Sequence, residues 1–222
     1  MFDFSPDVCI NFSTNYPQAV DNKNPNSPVF FVTEDYSNGA VRRFVANGKG
    51  WDALHRDGIT TYLRIIDGST FEWTSSEKEG RDSASKHFQG SEGIDYHDDK
   101  LYFTAKTAMK FFILDLTAMT YTVERTQFSA QPDQIALAKN MKSLGTDHKY
   151  VYFCQDGGTP GVYARDLQGT YHTVFQAIKG GWYDGDETVG IALSPGGKKL
   201  YAGFQDAGVL MEFKRDDGLP FE

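Results

Sequence analysis

Only two cysteines, Cys9 and Cys154, occur in the chain, which excludes a disulfide-stapled scaffold and leaves room for one bridge at most. Histidine is also sparse. His55, His87, His97, His148 and His172 show no His-x-x-x-His or related ligand spacing, so they read as surface residues and not as a zinc site. No Gly-x-Ser-x-Gly elbow is present, and a covalent serine mechanism has no support. The segments GGTPG from Gly157 and SPGGK from Ser194 are turn chemistry, since neither leads into a helix as a phosphate loop would. No apolar run approaches the roughly 18 residues of a bilayer span. The opening stretch MFDFSPDVCINFSTNYPQAV lacks the basic and long apolar regions of a signal peptide, so the chain reads either as not exported or as missing its true beginning. Positive charge is scarce too. Lys and Arg total 22 against 30 Asp and Glu, a formal charge of −8, which argues against nucleic acid or an anionic membrane as partner and is compatible with divalent cations.

What the chain does have is a large apolar fraction cut into short pieces. With 40% hydrophobic and 14% aromatic residues it can bury a substantial core as a single domain. The apolar residues fall in runs of about 4 to 7, which is strand length. In the segment EGIDYHDDKLYFTAKTAMKFFILDLTAMTYTVERT, Ile94, Leu101, Phe103, Phe111, Ile113 and Leu116 lie in such runs. Asp98-Asp99, Thr107-Ala108 and Thr117-Ala118 supply the corners, so the segment predicts four antiparallel strands. Copies align from Pro132 and from Glu187, with a degenerate one from Phe30. Registering them on Thr104, Cys154 and Gly203 gives steps of 50 and 49 residues. Four strands per period of roughly 40 to 50 residues is the signature of a β-propeller.

The expected fold is therefore all-β: about four four-stranded blades forming an incomplete ring. Blades must stack because one alone leaves a face uncovered. Residues 1–29, rich in Asn, Pro and Ser, read as an irregular lead with one candidate strand at Val8 to Phe12. Ile59 to Ile66 is a candidate outer strand, and TFEWTSSEKEGRDSASKHFQGS reads as a long polar loop. The blade from Glu187 holds only three strands before DDGLPFE, which leaves an exposed edge unless Val8 to Phe12 completes it. Cys154, between Phe153 and Gln155, reads as a small buried hydrophobe.

Acidic or amide residues recur at blade starts or at the ends of second strands: Glu34-Asp35, Glu92, Asp133, Gln155-Asp156 and Glu187. Because inner strands converge on a propeller's axis, Glu34, Glu92, Asp133 and Glu187 are the candidate ligands of an oxygen cage for calcium or magnesium. The competing reading is that they are solvated turn residues.

The segments FVTEDYSNGAVRRF, GWDAL, FEWTSSEKEGRDSA, SEGIDYHDDKLYFTAK, FFILDL, QPDQI, YFCQDGGTPGVYARD, ETVGIALSPGGKKLYAGFQD and FKRDDGLPF together resemble the PhoX-type alkaline phosphatase family from about Phe30 to the C-terminus. That resemblance implies a six-bladed type of propeller with iron and calcium at an axial site, hydrolysing phosphate monoesters in an extracellular or periplasmic setting. It maps Glu34 to the Thr-Glu-Asp segment, Glu92 to Glu-Gly, Asp133 to Pro-Asp and Glu187 to Glu-Thr-x-Gly. The family's Cys-Glu-Glu run of iron ligands has no counterpart here, and Gln155 stands where an acid is usual. Lys106, Lys110 and Arg81 are the basic candidates for a clamp on a small phosphorylated substrate. The alternative is a non-enzymatic calcium-binding or interaction propeller derived from that family.

Overall fold

A computed structural model describes residues 18–128, 130–137 and 150–221; the candidate strand Val8 to Phe12, Cys9 and His148 lie outside them. The described chain is nearly all-β and consists of four consecutive antiparallel sheets. The chain divides after Glu124 into two compact units of two sheets each.

In the first unit, five strands pair in chain order: β1 (Gln18–Asp21), β2 (Val29–Val32), β3 (Arg42–Ala46), β4 (Gly58–Ile65) and β5 (Phe71–Thr74). The lead therefore contributes a strand of its own in β1. The second sheet follows with β6 (Ser91–His97), β7 (Lys100–Ala105), β8 (Lys110–Asp115) and β9 (Thr120–Arg125). Its corners fall where Asp-Asp and Thr-Ala place them. Asp98 and Asp99 both take positive φ, 45° and 58°, the geometry of a tight two-residue hairpin whose twist matches the strands. Cross-strand aromatics dominate the core: Phe103 lies opposite Phe112 with ring centroids 4.7 Å apart and stacked, and Phe88 meets both edge-on. Leu63, Leu101 and Leu114 fill the space around them without exposure.

The second unit holds β10 (Gln131–Leu137), β11 (Tyr150–Asp156), β12 (Gly161–Asp166) and β13 (Tyr171–Gln176), then β14 (Thr188–Leu193), β15 (Leu200–Phe204) and β16 (Val209–Phe213). Among the described residues the last sheet has three strands, as the sequence predicts for the segment from Glu187. Val162, Ala164, Leu200 and Ala202 form the buried seam between the unit's two sheets, and the Cys154 side chain is fully buried.

The polar stretch read as a loop after Trp73 contains a helix instead, α1 (Glu77–His87). Its start is N-capped: Ser76 Oγ accepts from Glu79 N at 3.3 Å while Ser76 N donates to Thr74 Oγ1 at 3.1 Å, with Glu77 and Glu79 in the first turn and Lys86 and His87 in the last, both signs matched to the helix dipole. The buried face is Gly80, Ser83 and Ala84, small and weakly apolar, so no hydrophobic periodicity announces it. Gly80 is required by proximity, because a Cβ there would lie 2.4 Å from Tyr62 Cβ. Ser83 Oγ then accepts the Ile65 backbone N–H at 2.9 Å, locking the helix to β4.

Within each unit the two sheets are joined by the same buried device. Ser91 Oγ accepts from Glu34 N at 3.4 Å and directs its hydrogen at Glu34 O and Gly39 O, each 3.2 Å away. Thr188 Oγ1 does likewise with Gln155 N at 2.9 Å, Gln155 O at 3.0 Å and Gly161 O at 2.9 Å. Both hydroxyl residues are fully buried, so these backbone groups have no water to fall back on. Ser91→Ala and Thr188→Val should each cost about 1–3 kcal/mol through stranded buried polar groups. Chemical denaturation measures this, with the exposed helix residue Ser85→Ala expected within about 0.5 kcal/mol of wild type.

Candidate functional site

Strand pairing fixes where each acid stands in the repeat. The first strand of three blades carries one extra residue at the same place: Ser91 and Ile94 oppose Ala105 and Phe103, Pro132 and Ile135 oppose Gln155 and Phe153, and Thr188 and Ile191 oppose Phe204 and Ala202. Thr104, Cys154 and Gly203 are thereby equivalent, as the repeat predicts. The acids are not all equivalent. Glu92 and Asp133 share the bulge position, where the last blade has Val189. Glu187 precedes the hydroxyl residue Thr188, a place held by Gly90 in the second blade. Glu34 belongs to a third position, beyond β2, where it matches Gln155 as the N–H donor to the buried hydroxyl.

In the first unit, Glu34 is buried and is met by two guanidinium groups. Arg42 from β3 pairs with Oε1, and Arg81 from α1 donates to Oε2 at 3.1 Å. Arg81 also pairs with Glu77 at 2.8 Å, and Arg42 lies over the Tyr62 ring, 5.7 Å from its centroid. Hydrogen bonding from Arg81 holds the Glu77 carboxyl below the usual range against the opposing effect of burial, while burial pushes the Tyr62 phenol up. The helix that sequence reasoning missed thus supplies half of Glu34's counter-charge. Glu92 lies beside Lys106, which reaches it at 3.3 Å and Asp35 at 3.5 Å. Its backbone carbonyl accepts from Thr33 Oγ1. Lys110, the third basic candidate, instead donates to the His87 carbonyl at 3.3 Å and caps the end of α1.

The second unit treats its acids differently. Asp133 is buried beside Cys154, whose Sγ lies 3.7 Å from Oδ2. Glu187 is reached by Gln205 Nε2 at 3.2 Å. Its neighbour Asp186, which the sequence did not single out, is buried and accepts three backbone N–H groups, from Glu187 at 2.7 Å, Asp206 at 2.9 Å and Ala207 at 3.1 Å. Burial alone would raise this carboxyl, but the three N–H donors carry it below the ordinary range. A signal existed in the sequence: Asp186 and Glu187 stand just ahead of β14, and an Asp in a turn commonly ties down the neighbouring backbone.

The structure thus joins Glu34 to Arg42 and Arg81, and Glu92 and Asp35 to Lys106, in one unit, and sets Asp133 against Cys154 and Glu187 against Gln205 in the other. Among the described residues, no three His, Cys, Asp or Glu side chains gather around a point that could hold a metal ion. Within either unit, the acids as they stand do not fit a calcium or iron cage. Glu34 faces two fixed positive charges and Glu92 a third, where a hard cation needs oxygens alone.

No protein-family profile matches the chain, and no curated protein sequence matches it either. Solved structures do match. A chain of the nidogen/laminin complex aligns over 93% of this chain and 78% of its own, with 12% identity and a TM-score of 0.51. Virginiamycin B lyase from Staphylococcus aureus aligns over 94% of this chain and 73% of its own, with 11% identity and a TM-score of 0.45. With its consecutive antiparallel sheets, each meandering in chain order, the chain has a β-propeller type of fold.

Two outcomes follow for these buried acids. Glu34→Gln takes one carboxylate from each of two guanidinium groups, which keep Glu77. Loss of one partner of a buried pair costs about 3–5 kcal/mol. Because Arg42 and Arg81 keep 22% and 30% of their side-chain surface exposed, about 1–3 kcal/mol is expected here by denaturant titration. Asp186, with its depressed folded-state pKa, stabilises the fold fully above the ordinary carboxylate pKa of about 3.9 and loses that contribution as pH falls. Asp186→Asn should flatten the acid limb of a melting-temperature profile while leaving its shape near neutrality unchanged.

Proposed function

We propose that this chain is an interaction propeller of the PhoX-like kind and not a phosphatase. The observation that carries this reading is the pairing of both Glu34 carboxylate oxygens with Arg42 and Arg81. A divalent cation bound there would have to displace two guanidinium groups, one of them fixed on a helix that is itself locked to β4. The same pairing gives the carboxylate a sufficient structural role, joining β3 and α1 to the end of β2. Electrostatic neutrality inside the cluster makes it a stable framework, with surface elements left to do the binding.

One observation favours the second reading, a metal-dependent phosphomonoester hydrolase. Glu92 and Asp133 occupy the same bulge position in successive blades, and bulges are devices for re-aiming a side chain next to a site. In that reading the bulge carboxylate of each blade would be a metal ligand, with Lys106 the cation beside Glu92.

The two readings separate in one experiment. The chain is assayed for p-nitrophenyl phosphate hydrolysis with calcium and ferrous iron, and its melting temperature is followed with each metal. The interaction propeller gives no turnover above buffer and an unchanged melting temperature, because a ligand that does not bind the folded state cannot stabilise it. Calcium-dependent turnover that Glu92→Gln and Asp133→Asn both abolish would establish the hydrolase.

A further inference from the structure

The segment joining β13 to β14 presents the most exposed large apolar side chains among the described residues, Trp182 at 99% and Ile178 at 81%. It is a built loop. Gly180 N donates to Asp184 Oδ2 at 2.6 Å, Gly181 N to Ile178 O at 2.8 Å, and Asp184 N to Gly181 O at 3.2 Å. Gly180 and Gly185 take the positive φ values of 76° and 85° that such tight turning needs. Both flanks are anchored: Ala177 N donates to Pro160 O at 2.8 Å and Gly185 N to Gly158 O at 3.2 Å. Tyr183 packs on Phe204 with ring centroids 4.5 Å apart. The indole is therefore held out in water by an organised scaffold, and the ordering cost of docking it is already met.

At the other end of the same two sheets lies an open groove of about 650 Å³, whose apolar walls are Tyr150, Tyr152, Val174, Phe213 and Phe221. This volume falls in the range of pockets that bury a drug-sized group. Among the groove residues, Tyr150 opens β11 and His172 lies near the start of β13, while the Trp182 loop leaves from the end of β13, so knob and groove lie at opposite ends of that strand. Charge does not oppose a fit. At the groove mouth Lys214 pairs with Glu212 at 3.0 Å and Arg215 with Asp217 at 2.6 Å.

The geometry points to self-association in which the Ile178–Trp182 knob of one copy enters the aromatic groove of a second copy. Such a contact is heterologous, so it leaves a free knob at one end and a free groove at the other and propagates. An aromatic side chain buries only about 150–250 Å², well short of a standard interface of about 1,600 Å², so the association is weak and reversible. It does not depend on whether the acidic cluster binds metal. Because each copy carries a formal charge of −8, long-range repulsion works against the contact, and added salt strengthens it by screening.

Sedimentation velocity over a concentration series tests this. Wild type should show a sedimentation coefficient that rises with concentration and rises further with salt. Trp182→Ser, a change at a fully exposed position, should keep the fold and weaken association by at least about tenfold. Val174→Lys should do the same from the groove side. If Val174→Lys loses its native circular dichroism, His172→Trp at the groove rim replaces it, filling the groove with bulk. Mixing Trp182→Ser, which keeps the groove, with the groove variant, which keeps the knob, should restore a complex that stops at two chains. A wild type that stays monomeric, a Trp182→Ser variant that associates like wild type, or a mixture that stays monomeric would each overturn the proposal. So would Trp182-dependent binding to phosphatidylcholine vesicles without self-association.

Discussion

The organisation of each unit depends on one buried hydroxyl. Ser91 and Thr188 stand at the first position of a blade and answer, with a single oxygen, the backbone N–H and carbonyl groups of the blade before it. Two sheets that met only through apolar side chains could slide, since dispersion and hydrophobic burial carry little directional information. A hydroxyl that accepts one bond and directs its proton at two carbonyls admits one register. With water absent, a misplaced neighbour leaves those groups unsatisfied. The residue type must be small and hydroxylic, and the two units use serine and threonine interchangeably for it.

That anchor and the adjoining bulge decide what happens to the acids. A bulge adds a residue to one strand only, so side chains on either side of it fall out of simple alternation. Glu92 and Asp133 occupy this extra place, whereas Glu187 lies outside it and Glu34 follows the end of β2. Acids that look recurrent in sequence therefore meet different neighbours: two arginines for Glu34, Lys106 for Glu92, the Cys154 thiol for Asp133 and Gln205 for Glu187. The helix α1 enters this electrostatic arrangement directly, with Arg81 linking Glu77 on its own surface to Glu34 on the sheet. Substituting a single member shifts the balance for the others, because each arginine serves two carboxylates.

Apolar surface is distributed with the same economy. Aromatic pairs across β7 and β8 close the first unit, and Tyr152 with Phe221 brings the chain's last described residues onto the second. Against that background a rigid loop that exposes an indole stands apart, since burying Trp182 anywhere would stabilise the fold by roughly 1.5–3 kcal/mol, the scale for a large apolar side chain. Its glycines and internal hydrogen bonds hold the exposed conformation, which places the loop with binding surfaces.

Strand lengths, corners and the period near 50 residues were legible in the sequence because they are local. Alternation, an Asp-Asp turn and short apolar runs each report on a few neighbouring residues, and equivalent strands repeat them. The burial of Cys154 and the three-stranded last sheet followed from the same pattern. The helix did not, because its packed face of Gly80, Ser83 and Ala84 carries no apolar stripe. Nor did the partners of the acids. Ser91 finds Glu34 across 57 residues and Thr188 finds Gln155 across 33, and no local rule relates such positions. The sequence by itself determined the repeating strands and the residue types available at their ends. Which carboxylate is neutralised, which hydroxyl is buried and which indole is left in water were decided by tertiary structure, because those depend on through-space distance and exclusion of solvent, neither of which is encoded in spacing along the chain.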